Sequence, residues 1–572
     1  MSLATKGLTL ALAIAGTCIS AVGHAAISFK GPIPLLADKV DLVLYNGQVK
    51  TPQGWASAVA VGNGLIIAVG NDADVFEFAE DATARVDLKG RTVLPGIHDM
   101  HVHPLIAGVE EISCKLETGA SPAAIKRAVA QCANNTPEGH WITGGNWVGA
   151  VFEDESQSKA LLDEAAPKHP VMLYDESYHS MWVNSMALQR AGISADTPNP
   201  PGGVIERDAT GEPTGVLRET ANRLIDRVIP PLTEHQKRAA LTWSTNHMLS
   251  YGITTFTDAY STPAHIATLA NLSKRGDIKQ RIRACMAWVP SDDSRGAAES
   301  LIAARAALHG ERFKADCVKL MLDGVPTESH TAAMLEPYEG SDTRGILMMP
   351  QTTLNEVVTR FDAVGLHLKM HAAGDGAVRA AIDAVAAARD TNGFGGSHHE
   401  VTHISFAHKD DIPRVRQLGM AWEFSPYIWF PTPISNIDVR RAVGDKRMLR
   451  FIPIKDGVES GALTVAASDW SVVPSVNPWL ALETLVTRQL PGGSDTTVAP
   501  GQAITIEQAW KLLTENPARL MGHRHVTGAI EPGLAADLIV TKKNPFKVAI
   551  TEVHKTEVEQ VFINGEEVFR RQ

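Results

Sequence analysis

The feature that most constrains this chain is a series of eight short apolar runs: "TVLPGIHDMHVH", "GITTFTDAY", "IRACMAWV", "DCVKLMLDG", "HLKMHAAGD", "EVTHISFAH", "GMAWEFSP" and "LTVAASDW". Several are followed by helical patterns, among them "GAVRAAIDAVAAARD" and "KDDIPRVRQLG". Strand-like runs that alternate with helices predict a parallel sheet with helices on its outside. Eight such strands are the number that closes a (β/α)8 barrel of the TIM type. A chain of 572 residues is long for one barrel, and the excess falls in definite places.

Residues 38–94 read as short strands and turns, with hairpin signals at Asn46-Gly47 and Gly62–Gly64. Residues 524–572 repeat that character in "AADLIVTKKNPF" and "VEQVFINGEEVF". Both ends together predict a small β-sandwich domain flanking a barrel over 95–523. A long insertion after the first barrel strand, about 104–240, is rich in Trp, Gly and Pro and is placed over the barrel mouth. Its aromatic residues Trp141, Trp147, Tyr174, Tyr178 and Trp182 line an apolar pocket or, as the ordinary expectation, pack the cover.

Lys6 followed by the apolar "GLTLALAIAGTCISAVG" and the small-residue "GHAAIS" has the form of a secretory signal, with cleavage after Ala25. Residues 1–25 are therefore expected to be a signal peptide, and the mature protein periplasmic or secreted, with no later membrane span. A net charge of −11 with interspersed signs gives no nucleic-acid footprint. The remaining cysteines lack C-x-x-C spacing, which argues against a thiolate zinc site. Export permits a disulfide, and Cys114 and Cys132 are the pair nearest in sequence.

Six residues of metal-ligand type fall at the C-terminal ends of apolar runs: His101 and His103, Lys319, His371, His403 and Asp469. Residues spaced by one on a strand point the same way, so His101 and His103 can bind one ion. Alone, each residue has an ordinary reading. A buried histidine is usually a hydrogen-bonded core residue, Lys319 reaches for solvent, and Asp469 caps a helix. Gathered at one barrel mouth, where barrel enzymes build their sites, they indicate a divalent-metal site of imidazole and carboxylate type.

"LPGIHDMHVH", the lysine ahead of Asp323-Gly324, "HAAGD", "THISFAH" and "SDW" together resemble the amidohydrolase superfamily. "HSMWVNSMAL" and "GAIEPGLAADLIV" narrow the resemblance to its amidohydrolase-3, YtcJ-like branch, which includes N-substituted formamide deformylases. The resemblance implies His101, His103 and Asp469 on one metal and His371 and His403 on a second, with Lys319 bridging them as an N-carboxylated lysine. Two zinc ions are the expected pair, with manganese, cobalt and iron also compatible. It further implies a metal-bridging hydroxide that attacks the carbonyl of a small-molecule substrate, and Asp469 as the proton carrier. By the same resemblance His179 is expected to stabilise the oxyanion, and His179, Asn184 and Asp323 are expected to meet the substrate.

Two positions depart from the pattern: His98 stands where an apolar residue is usual, and Thr402 replaces an acidic residue before His403. His398, His399 and His408 read as surface residues or supports behind the ligands. The expected reaction is hydrolysis of a C–N bond in an amide, N-formyl or N-acyl compound. The rivals are an ester, lactone or cyclic-amide hydrolase using the same site, and a non-catalytic binding or regulatory protein on the same fold.

Overall fold

The computed structural model describes residues 39–572 apart from 112, 118, 153–156, 289–298, 300, 301, 304 and 306, so the expected signal peptide lies outside the described residues. The eight apolar runs form the expected parallel sheet: β1 (Ile97–Val102), β2 (Ile253–Ser261), β3 (Arg281–Trp288), β4 (Phe313–Met321), β5 (His367–Ala372), β6 (Glu400–His403), β7 (Ala421–Phe424) and β8 (Leu463–Ala466). Neighbours in sequence are neighbours in space throughout. The two end strands meet just past β8. The Asp469 amide donates to the His101 carbonyl at 2.8 Å and the His103 amide to the Trp470 carbonyl at 2.6 Å.

Strands of such a sheet are covered on both faces, which is why β1, β5, β6 and β7 are buried at every position. Outward side chains such as Val318, Leu320, Leu368 and Met370 join helix residues in the main apolar core. The helix Glu234–Leu249 shows the local logic. Thr233 caps it in a reciprocal box with Gln236, and Leu241, Met248 and Leu249 face inward. It lies so close to the helix Pro104–Glu111 that a Cβ on Gly108 would sit 2.1 Å from the Ala240 carbonyl oxygen.

One run differs from its reading as a single strand. "TVLPGIHDMHVH" breaks at Gly96 into Thr92–Pro95, which belongs to the end domain, and β1. The chain crosses between domains there against Thr254, whose Oγ1 would lie 2.1 Å from any Cβ at this position. Thr92–Pro95 pairs antiparallel with Leu538–Thr541, so a strand from each chain end shares one six-stranded sheet. A four-stranded sheet built from Leu42–Tyr45, Ala58–Gly62, Leu65–Gly70 and Ala84–Asp87 packs onto it through Leu44, Val59, Leu538 and Val540.

The insertion folds into a six-stranded sheet of its own, with Ser180–Val183 and Val171–Asp175 at its centre. Trp147 and Trp182 are fully buried on one face, their rings 6.2 Å apart, so these aromatics pack the cover. Tyr174 and Tyr178 instead line a cavity beneath it. A Cys114–Cys132 disulfide ties the cover's edge strand to the helix Pro122–Asn135. A second, unexpected disulfide joins Cys285 and Cys317, which face each other in register on β3 and β4. No helix among the described residues is long and apolar enough to cross a membrane.

Candidate metal centre

The strand ends bring the six sequence-derived ligand candidates to one place. His101, His103 and Asp469 each offer an atom within 4.8 Å of the other two. His103 Nε2 is 3.2 Å and His101 Nε2 3.4 Å from Asp469 Oδ1. Lys319 Nζ lies between the two halves of the site, 3.2 Å from His101 Nε2 and 3.3 Å from His403 Nε2. The His371 and His403 rings are 4.3 Å apart. His403 and Asp469 both have positive φ, 74° and 60°. Such backbone is strained for residues with a Cβ, and it recurs at functional sites.

What holds each imidazole decides which nitrogen is free. His101 Nδ1 is taken by Glu423 at 2.5 Å, His403 Nδ1 by Ser425 Oγ at 2.9 Å, and His371 Nε2 by the Gly324 carbonyl at 3.1 Å. Each ring therefore keeps its other nitrogen for the centre, the arrangement that orients metal-binding histidines. Burial first, then the positive charge of Lys319, holds His101 well below the usual imidazole range. Burial also dominates for His371 and His403, holding both well below the usual imidazole range. Neutral imidazole is the ligand form. These donors fit divalent metal.

Burial likewise lowers Lys319 to about 7, with Lys369 adding repulsion. Lys369 itself is fully buried, paired with Glu400 at 2.9 Å and with Glu423. Glu423 thus connects a buried ion network to a ring of the centre. His98 is fully buried and points away from the centre, close to Arg281 and Asp537. Thr402 sits 3.5 Å from Lys319 Nζ. His399 is buried against Asp362, whereas His398 and His408 lie near the surface.

Above the strand ends lies a cavity of about 350 Å³, with His101, His103, Lys319, His371, His403 and Asp469 in its lining. His179, from the cover, also lines it, and its ring is 5.2 Å from that of His371. Burial disfavours its charge, yet the Glu219 carboxylate at 2.8 Å, helped by Asp175 and Asp323, raises it to about 9. Much of the remaining wall is apolar, including Ile106, Met321, Met348 and Phe451.

Two expectations about the substrate are corrected. Asn184 is 1% exposed and absent from the cavity lining. It caps the helix Ser185–Ala191, its Oδ1 accepting from the Ala187 and Val171 amides and its Nδ2 donating to the His169 carbonyl, so its amide is spent on the cover. Asp323 is fully buried behind His371 rather than in the cavity. It accepts from the Ala333, Ala373 and Gly374 amides and lies 3.5 Å from His371 Nε2, so it fixes the loop after β5.

Sequence reasoning missed Glu423, Lys369, Ser425 and Glu219. Alternation carried a signal for two of them: Lys369 precedes His371 by two on β5 and shares its face, and Glu423 on β7 lies two before Ser425, in register with Thr402 of β6.

The Amidohydrolase family profile matches residues 84–569. The chain is 27% identical over 529 residues to a putative amidohydrolase, YtcJ, of Bacillus subtilis, covering 90% of this chain and 96% of that one. It is 26% identical over 550 residues to an N-substituted formamide deformylase of Arthrobacter pascens, covering 92% and 97%. An uncharacterized metal-dependent hydrolase of Pyrococcus horikoshii shares the fold at a TM-score of 0.71 and 23% identity, over 89% of this chain and 99% of that one. With a profile matched over most of its length and the strand-end donors in place, the chain belongs to the amidohydrolase family.

Proposed function

We propose that the protein is an exported, metal-dependent hydrolase that cleaves the C–N bond of a small amide, N-formyl or N-acyl compound. The observation that carries this reading is the convergence of His101, His103, Lys319, His371, His403 and Asp469 in the floor of one cavity. His101, His103 and Asp469 would hold one divalent ion, zinc first, and His371 and His403 would hold a second. When bound, such ions supply an activated water and polarise a carbonyl.

The chain's own groups divide the remaining work. A lysine brought to about 7 is largely an unprotonated amine above neutrality. Nζ can then add to carbon dioxide and lose a proton, giving an anionic carbamate that suits a bridging position. Asp469 lies among the floor imidazoles, where its carboxylate takes a proton and hands it to the departing amine. His179, held by Glu219 at Nδ1, keeps a donor at Nε2 for charge developing on the carbonyl oxygen. The two disulfides support export, since such bonds persist in oxidising compartments.

The test is hydrolysis of matched amide and ester pairs by the zinc-loaded protein. Release of amine from N-formyl or N-acyl substrates, abolished in Asp469→Asn, is the expected result. Turnover of esters or lactones with no amide cleaved would replace the C–N reading, and no turnover of either would favour a binding protein.

A further inference from the structure

Most charged groups of the cavity wall have partners. Glu219 is held by His179 through Oε2, although its Oε1 is unpartnered, and Asp226 lies 3.3 Å from the Tyr174 hydroxyl. Glu176 differs in having no ion-pair partner among the described residues. It follows the strand Val171–Asp175 in the turn that leads to His179, lines the cavity and is 7% exposed. Its Oε2 has no hydrogen-bond partner among the described residues. The groups behind it cannot satisfy it. Both Asp175 oxygens are used by the Ser177 hydroxyl and the Ser180 amide. Arg218 is shared between Glu206 at 2.6 Å and Glu328 at 3.0 Å. Asp438, 2% exposed on the helical segment Ile434–Val439, has an unpartnered Oδ2 of its own.

We propose that Glu176 is a specificity-determining residue that receives a protonated amine, or another cationic nitrogen, at the far end of the substrate. The inference rests on the hydrolase reading and deepens it. The substrate class is an amide whose scissile bond lies at the strand ends, whose middle is apolar to match Met321, Met348 and Phe451, and whose other end is cationic. Burial first, then Asp175 and Glu328, keeps the empty Glu176 carboxyl well above its usual range. A bound cation supplies the missing partner and returns it to the ionised form. Charge-assisted hydrogen bonds of this kind are the strong ones in a desolvated site.

The experiment measures binding, so that it reads Glu176 separately from hydrolysis. N-(ω-aminoalkyl)methanesulfonamides of increasing chain length, and their neutral N-alkyl counterparts, are titrated calorimetrically into the zinc-loaded protein. At one chain length the cationic compound is expected to bind about tenfold more tightly than its neutral partner, as for a hydrogen bond to a charged group. Glu176→Gln removes that advantage while the neutral series and the metal content stay unchanged, and Glu176→Asp moves the optimum to a longer chain. Equal binding of the two series at every length, or a cationic preference that survives Glu176→Gln, would overturn the proposal. Failure to hydrolyse any amide would instead defeat the hydrolase reading.

Discussion

The floor and the roof of the cavity are built by different rules. In the floor, every side chain stands at the end of a strand whose neighbours are fixed by barrel closure, and a second group holds each of three rings by one nitrogen. In the roof, His179 and Glu176 stand in a turn between two strands of an inserted sheet, and their aim depends on how that sheet settles over the mouth. The floor is therefore suited to chemistry that tolerates no displacement, and the roof, beyond the oxyanion donor His179, to recognition of the substrate.

Substitutions can break this contrast. The largest effect is expected at the floor: Asp469→Asn should lower kcat by about a thousandfold, the scale of general acid–base catalysis, with the circular dichroism spectrum unchanged. An Asp469→Asn protein with near-native turnover would remove the proton carrier from the account. At the roof, His179→Gln should lower kcat by about a hundredfold, at the low end for a lost oxyanion donor. A change confined to KM would make His179 a binding group instead.

Smaller effects sharpen the comparison. Glu423→Gln, one step behind the floor, should weaken metal affinity by about tenfold or more, read by competition with a chelator. Unchanged affinity would show that the 2.5 Å contact does not orient His101. Glu219 holds the proton on His179, so Glu219→Gln should bring the alkaline fall of the kcat profile to lower pH. The sign follows from losing the carboxylate that raises His179, and a shift to higher pH would contradict it. The smallest effect on turnover belongs to Asn184→Ala, which should leave kcat and KM alone and cost about 1 kcal/mol of stability as a lost helix cap, read as a lower Tm. Lost activity at unchanged Tm would return Asn184 to the substrate.

The same contrast explains what could be read beforehand. The barrel and the convergence of the floor residues were legible because strand ends close in one direction, so a histidine at the end of β5 and another at the end of β6 must meet. Lys369 and Glu423 follow from the same alternation, but an isolated buried charge is an unlikely guess until its partner strand is known. Gly96 was hidden within a continuous apolar run, and its role depends on Thr254, more than 150 positions away. Cys285 and Cys317 pair only because β3 and β4 are in register there. Asn184 shows the limit most plainly: a polar residue after a strand in the cover reads equally as a substrate contact or a helix cap, and only the sheet's placement decides.

The central claim is that the floor is a metal centre, and metal content of the purified protein by elemental mass spectrometry tests it most directly. The account predicts about two divalent ions per chain, as in two-metal hydrolytic sites, falling in Lys319→Ala. A protein that takes up no divalent ion after reloading with zinc or manganese would contradict it.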